Sequence, residues 1–112
     1  MGINEMVELA YGNAKTKGWH DTDRTFGELI ALCHSELSEA LEEHRNGVGF
    51  QELYRKKSDT LGKPEGIPIE LADVLIRIAD MCGKYGIDLE AAVKMKMEYN
   101  RSRPYRHGGK VI

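Results

Sequence analysis

The chain has 112 residues, of which 41% are hydrophobic and 30% charged, and its formal net charge is −2. This length predicts a single domain over residues 1–112, and the composition is typical of a globular protein rather than a disordered one. The chain lacks the basic excess of a nucleic-acid binder and the roughly 20 consecutive apolar residues of a membrane span, so neither partner is expected. The cysteines Cys33 and Cys82 are too few for a disulfide scaffold. With an N-terminus unlike a signal peptide, they favour a cytoplasmic protein.

Two helices are predicted in the first half of the chain. The first extends from about Asn4 to Lys17 and ends before a glycine. The second begins at the capping-box sequence Thr25-Phe26-Gly27-Glu28 and continues to about Arg45. Residues 48–66 are rich in glycine and charge, which predicts a loop with one short helical turn near residues 50–54.

The second half predicts two more helices. One begins near Ile67 with Pro68 in its first turn and ends near Lys84, and the other extends from Leu89 to about Arg101 behind the N-cap Asp88. No segment alternates between apolar and polar residues, so no sheet is expected. The predicted fold class is all-α, a four-helix bundle-like domain with one long loop.

Acidic residues border the apolar faces of the second and third helices. Glu36 and Glu39 lie one turn apart beside the apolar arc of the second helix, and Glu70 and Asp73 form a similar pair on the third. A buried carboxylate without a partner costs several kcal/mol, so it takes up a proton or binds a cation. Four such groups from two packed helices favour a hard divalent cation, Mg²⁺ or Mn²⁺.

The carboxylates have two other interpretations. One is that they are solvated acids or ion-pair partners of Arg77, Lys84 and Lys96. A carboxylate-bridged di-iron centre needs a histidine three residues after a glutamate, and the chain has no such pair.

Basic and aromatic residues elsewhere suggest what such an ion would help to bind. Lys96 and Asn100 lie on the inward stripe of the fourth helix, and a basic segment with two glycines follows at residues 101–110. Basic groups near an acidic metal cluster favour a polyphosphate ligand, while the alternative is a solvated, frayed C-terminus. Trp19, just before the second helix, either packs in the core or stacks on a base.

At this point the sequence resembles a known family, the MazG-like nucleoside triphosphate pyrophosphohydrolases of the all-α NTP pyrophosphohydrolase superfamily. The resemblance covers about residues 18–110 and is carried by Glu36-Leu37-Ser38-Glu39-Ala40-Leu41, Glu70-Leu71-Ala72-Asp73-Val74-Leu75, Lys96-x-x-x-Asn100-x-x-Arg103 and the His107-Gly108-Gly109 tail. It implies hydrolysis of a nucleoside triphosphate to a monophosphate and pyrophosphate.

The resemblance also implies roles for individual residues. The implied Mg²⁺ ligands are Glu36, Glu39, Glu70 and Asp73, and the implied phosphate or sugar contacts are Lys96, Asn100 and Arg103. Trp19 is expected to line the nucleoside pocket. Glu39 is the expected catalytic base, because it lies on the more solvent-facing side of its pair.

Two departures from the family pattern leave the substrate open. Ser35 stands where the family often has a further glutamate, and the interval between Glu39 and Glu70 is longer than usual. The alternatives are therefore a sibling activity on phosphoribosyl-ATP or dUTP, or a non-enzymatic helical oligomerisation or binding module.

The third helix predicts self-association. Its apolar residues occupy well over half of its circumference, and the second and fourth helices are expected to cover only two of its sides. The remaining surface is most simply covered by a second copy, which predicts a homodimer or a homotetramer built from dimers. The alternative is that the first helix covers this face and the chain is monomeric.

Overall fold

A computed structural model describes residues 1–105, and the basic residues 106–110 of the predicted ligand-contacting tail lie outside the described residues. The elements in chain order are α1 (Ile3–Thr16), α2 (Phe26–Arg45), β1 (Tyr54–Arg55), β2 (Pro64–Glu65), α3 (Ile67–Tyr85) and α4 (Leu89–Ser102). Helices make up most of the described chain, which confirms the predicted all-α class. Among these described helices, none has the length and apolarity required to cross a bilayer.

The helix ends lie where the local sequence predicts them. The Thr25 hydroxyl accepts a hydrogen bond from the Glu28 amide at 3.1 Å, and the Asp88 carboxylate accepts one from the Ala91 amide at 3.1 Å. Each bond satisfies an amide that the first turn of a helix leaves without a backbone partner. At the other end of α3, Gly86 adopts the left-handed conformation, with φ of 64°, that commonly ends a helix.

The core lies around α3, which packs against α1 and α2. It consists of two small buried clusters: Val7, Ala79 and Cys82 towards α1, and Leu29, Cys33 and Met81 towards α2. Gly83 permits the close approach of α1, because a Cβ there would lie 2.4 Å from the Cβ of Tyr11. Both cysteines are buried, free thiols within this core.

Helix α4 is attached to the rest of the chain at its beginning. Asn4 donates to the Asp88 carboxylate at 3.2 Å and accepts from the Glu90 amide at 3.3 Å. No residue of α4 is buried. The expectation that α4 would cover one side of α3 is therefore wrong: within the described residues α3 packs mainly on α1 and α2, and α4 adds only the partly buried Leu89 to the edge of the core.

The loop between α2 and α3 contains a small hairpin that the sequence did not predict. Strands β1 and β2 pair antiparallel with Tyr54 opposite Glu65, whereas a helical turn and no sheet were expected here. Two-residue strands are too short to show an alternating pattern. The backbone at Gly66 packs closely against that of Glu52. Its φ angle is 128°, and a Cβ at this position would lie 2.3 Å from the Glu52 carbonyl oxygen.

Candidate metal centre

Helices α2 and α3 bring three of the predicted ligands together. Glu36 on α2 and Glu70 and Asp73 on α3 each place a carboxylate oxygen within 4.8 Å of the other two. Glu70 and Asp73 lie one turn apart, so both side chains leave α3 on the side that faces α2. The paired spacing in the sequence thus corresponds to a single cluster in space.

Glu39 lies at the exposed edge of this cluster. It follows Glu36 by one turn of α2 and is exposed, whereas Glu36 is partly buried. Its carboxylate is close enough to Glu70 to share a hydrogen bond with it. Three of the four predicted carboxylates thus form the cluster, and Glu39 lies beside Glu70 on the solvent-facing side, as expected from the helical wheel.

Glu70 is the most enclosed carboxylate of the cluster. It is only 4% exposed, and its Oε2 atom is buried and accepts no hydrogen bond from the described residues. Burial, together with the hydrogen bond to Glu39 and its charge, raises the pKa of Glu70 to about 8. Burial and the nearby charge of Glu36 also raise the pKa of Asp73. With a pKa of about 8, the Glu70 carboxyl holds a proton near neutral pH unless a cation replaces it.

Arg77 neutralises part of the cluster. Its Nε donates to Glu36 Oε1 at 2.7 Å, so the ion-pair interpretation is correct for Glu36. The other two proposed cations lie elsewhere: Lys84 pairs with Asp23 at 3.3 Å, and the Lys96 Nζ lies 4.7 Å from the centre of the Tyr99 ring. Arg77 and the nearby Lys63 carry two positive charges, fewer than the four negative charges of the carboxylates when all of them are ionised.

A cavity of about 460 Å³ adjoins the cluster. Three of the carboxylates, Glu36, Glu39 and Asp73, form part of its wall, and the remaining lining residues are Asn13, Ala14, Lys17, Trp19, Lys63, Ile76, Arg77 and Asp80. This size lies within the range of about 300–1,000 Å³ that is typical of small-molecule sites. The wall thus combines acidic, cationic and aromatic groups.

Trp19 belongs to the cavity wall rather than to either core cluster. The Arg24 guanidinium lies 3.8 Å from the centre of its ring, and that of Arg77 lies 4.9 Å away. Cation–π contacts of this kind hold the indole in place. The geometry agrees with the predicted position at a pocket.

Several residues at the cavity were not singled out from the sequence. His20 Nε2 and Asp80 Oδ1 lie 2.7 Å apart, and both side chains are largely buried. The helical spacing of Asp73, Arg77 and Asp80 on the polar strip of α3 is a signal that places all three on one side. Lys63 comes from the loop, where no periodic pattern indicates its position.

The residues predicted on α4 lie apart from the cluster. The described lining of the cavity does not include Lys96, Asn100 or Arg103. Arg103 follows the last residue of α4, and its guanidinium lies 5.5 Å from the centre of the Tyr99 ring. Within one chain, the structure brings the predicted carboxylates together but not the predicted α4 contacts.

Comparison of the chain with family models, with curated proteins and with solved structures gives no match. The function is therefore inferred from the geometry of the carboxylate cluster and its cavity, together with the resemblance of the motifs.

Proposed function

We propose that the protein is a Mg²⁺-dependent nucleoside triphosphate pyrophosphohydrolase of the MazG-like kind, which cleaves between the α and β phosphates. The observation that carries this proposal is the convergence of Glu36, Glu70 and Asp73 beside a cavity lined with cationic and aromatic side chains. The all-α fold and the order of the motifs along the chain support it.

The cluster suits a hard divalent cation. Its ligands are all carboxylate oxygens, which Mg²⁺ and Mn²⁺ prefer, and Glu70 contributes a buried oxygen that accepts no hydrogen bond from the described residues. Glu36, Glu39, Glu70 and Asp73 would hold the ion. When bound, the ion supplies positive charge that neutralises phosphate oxygens and lowers the pKa of water.

The cavity wall offers groups for the rest of a nucleotide. Lys17, Lys63 and Arg77 are cations that bind phosphate oxygens by charge-assisted hydrogen bonds. A base would stack on the Trp19 ring in place of the Arg77 guanidinium, which lies 4.9 Å from the ring centre. The phosphates are thereby held beside the carboxylates, with the base towards α1 and the entry to α2.

Glu39 is the proposed general base. Because its carboxylate is exposed, it reaches a water molecule that the more enclosed Glu70 does not. The carboxylate accepts a proton as the water oxygen bonds to the α phosphorus. The bond from that phosphorus to the bridging oxygen breaks, and pyrophosphate leaves with the bonding electron pair.

We further propose that the working form is a homodimer, or a homotetramer built from dimers. On α3, Leu71, Leu75 and Ile76 remain about half exposed even though α1 and α2 pack on this helix. Burial of such an apolar face against a second copy is favourable. In that assembly Lys96 and Asn100 of α4, and Arg103 directly after it, would contact the cavity of the neighbouring copy.

The cytoplasm is the proposed location, because it supplies nucleoside triphosphates and keeps thiols such as Cys33 and Cys82 reduced. The sibling activities and the non-enzymatic module are outcomes of the same test. Pyrophosphate release is measured with a panel of nucleoside triphosphates, dUTP and phosphoribosyl-ATP, with Mg²⁺ and with EDTA.

Mg²⁺-dependent release from nucleoside triphosphates supports the proposal. Release from only dUTP or only phosphoribosyl-ATP would assign the sibling activity instead. No release from any compound, with the protein folded and bound to Mg²⁺, would leave the binding module as the function.

A further inference from the structure

A second group of carboxylates adjoins the first and includes a residue from the hairpin. Glu43 on α2, Glu65 on β2 and Glu70 on α3 each place a carboxylate oxygen within 4.8 Å of the other two. Three separate elements therefore converge at this point. We call this group the hairpin cluster.

The hydrogen bonds around the hairpin cluster leave two of its oxygens unsatisfied. The Tyr54 hydroxyl donates to Glu43 Oε1 at 2.7 Å and orients that carboxylate. Glu43 Oε2 and Glu70 Oε2 are buried and accept no hydrogen bond from the described residues. Since Glu70 is 4% exposed, water reaches its carboxylate poorly.

The negative charges of the hairpin cluster are also not balanced by nearby cations of the described residues. The Lys63 ammonium lies 3.7 Å from Glu65, and it also lines the cavity of the first cluster. One ammonium at the edge of three carboxylates does not offset their mutual repulsion. One proton shared between two carboxylates would satisfy one orphaned oxygen, whereas a divalent cation contacts oxygens from all three side chains.

We propose that Glu43, Glu65 and Glu70 form a second divalent-cation site, distinct from the Glu36–Asp73 side of the first cluster and sharing Glu70 with it. The oxygen-only ligand set suits Mg²⁺ or Mn²⁺. An ion at this position links the hairpin to α2 and α3. Because Lys63 precedes Glu65 by two residues, the ion also fixes a cation at the cavity wall.

The test counts ions on the full-length protein with Mn²⁺ as the probe, by isothermal titration calorimetry and by electron paramagnetic resonance. The wild type is expected to bind two ions per chain. Glu65→Gln and Glu43→Gln each remove one ion and keep the other. Glu42→Gln, which changes an exposed carboxylate next to Glu43, is the matched control and keeps both.

Anomalous diffraction from crystals of the wild type with Mn²⁺ gives a reading that needs no variant. An ion about 2.1 Å from oxygens of Glu65 and Glu43 is expected, as for a directly coordinated small divalent cation. Only one ion per chain in the wild type, or two ions retained in Glu65→Gln, would overturn the second site.

The second site stands or falls separately from the proposed function. Asp73→Asn is expected to remove the ion of the first cluster and to leave the ion bound at Glu65. Binding of Mn²⁺ at Glu65 without any pyrophosphate release by the wild type would support the second site and reject the proposed function. Release of pyrophosphate by a wild type that binds a single ion would support the proposed function and reject the second site.

Discussion

The α2–α3 face and helix α4 both carry polar residues that the sequence places beside or on an apolar face, but their surroundings differ. On the α2–α3 face, Glu70 is 4% exposed and Glu36 is bonded to Arg77 at 2.7 Å. On α4 no residue is buried, and Lys96 lies over an exposed tyrosine of the same helix. Because α2 and α3 pack on each other, one chain assembles the anionic half of the site, and we infer that α4 needs a second copy.

The largest expected effect is the loss of pyrophosphate release when a residue of the carboxylate cluster is changed. Asp73→Asn removes one charge and one ligand oxygen without changing volume, so pyrophosphate release should fall by more than the ~100-fold that loss of an outer-shell partner costs. The circular dichroism signal of the helices should not change. Glu42→Gln, on the exposed surface of α2, is the control and should keep full activity. Full activity in Asp73→Asn would reject the metal assignment.

The next effect concerns the surface between copies. Leu75 is 49% exposed on α3, and Leu75→Glu places a charge on the face that we assign to the dimer. The variant should dissociate to a monomer near 12.6 kDa in light scattering, because burial of an unpaired charge is unfavourable. Leu61→Glu is the matched control, since Leu61 is 94% exposed in the loop. An active wild type that is itself monomeric would contradict the assignment.

A smaller effect is expected at the cavity wall. Stacking of a base on an aromatic side chain contributes about 1–3 kcal/mol, so Trp19→Ala should raise KM by about tenfold with a lesser change in kcat. Trp19→Phe keeps an aromatic face and should recover most of the affinity. A KM that does not change in Trp19→Ala would remove the indole from the substrate site.

The smallest effect is on stability. Without a bound cation, burial and the neighbouring Glu39 raise the pKa of Glu70 to about 8, from the ordinary value of 4.5 for a glutamate. Between these pH values the folded state binds more protons than the unfolded state, so the free energy of unfolding decreases as pH rises. The Tm should fall by several degrees from about pH 5 to pH 8, at roughly 4–8 °C per kcal/mol lost.

Two controls sharpen this measurement. Glu70→Gln carries no titratable proton at this position, so its Tm should depend less on pH. Mg²⁺ added at pH 8 should restore the Tm of the wild type, since an ion that binds only the folded state stabilises it. A Tm that rises from pH 5 to pH 8 without metal would contradict the protonated state of Glu70.

The sequence predicted the helices and the carboxylate cluster because both follow from local spacing. The bond from Glu28 to Thr25 and the one-turn intervals Glu36–Glu39 and Glu70–Asp73 depend on a few neighbouring residues. Once α2 and α3 are known to pack together, the meeting of their acidic borders follows. The helical wheel also placed Glu39 correctly on the exposed side.

The parts that the sequence did not predict depend on contacts between distant residues. Glu65 and Lys63 lie near the site because the backbone at Gly66 packs closely against Glu52. A close contact of this kind has no periodic pattern in the sequence. The position of α4 depends on a bond between Asn4 and Asp88, which are 84 residues apart in the sequence. Local spacing predicts which face of α4 is apolar, but not whether another helix covers it.

The bond between Arg77 and Glu36 has a consequence for how the protein acquires its ions. The guanidinium acts as a counterion to Glu36 within the chain itself. An ion bound at the proposed site would compete with Arg77 for Glu36, so part of its binding free energy would be used to displace that side chain. Occupancy of the site would then depend on the free cation concentration, and the released guanidinium would be available to the phosphate of the proposed substrate.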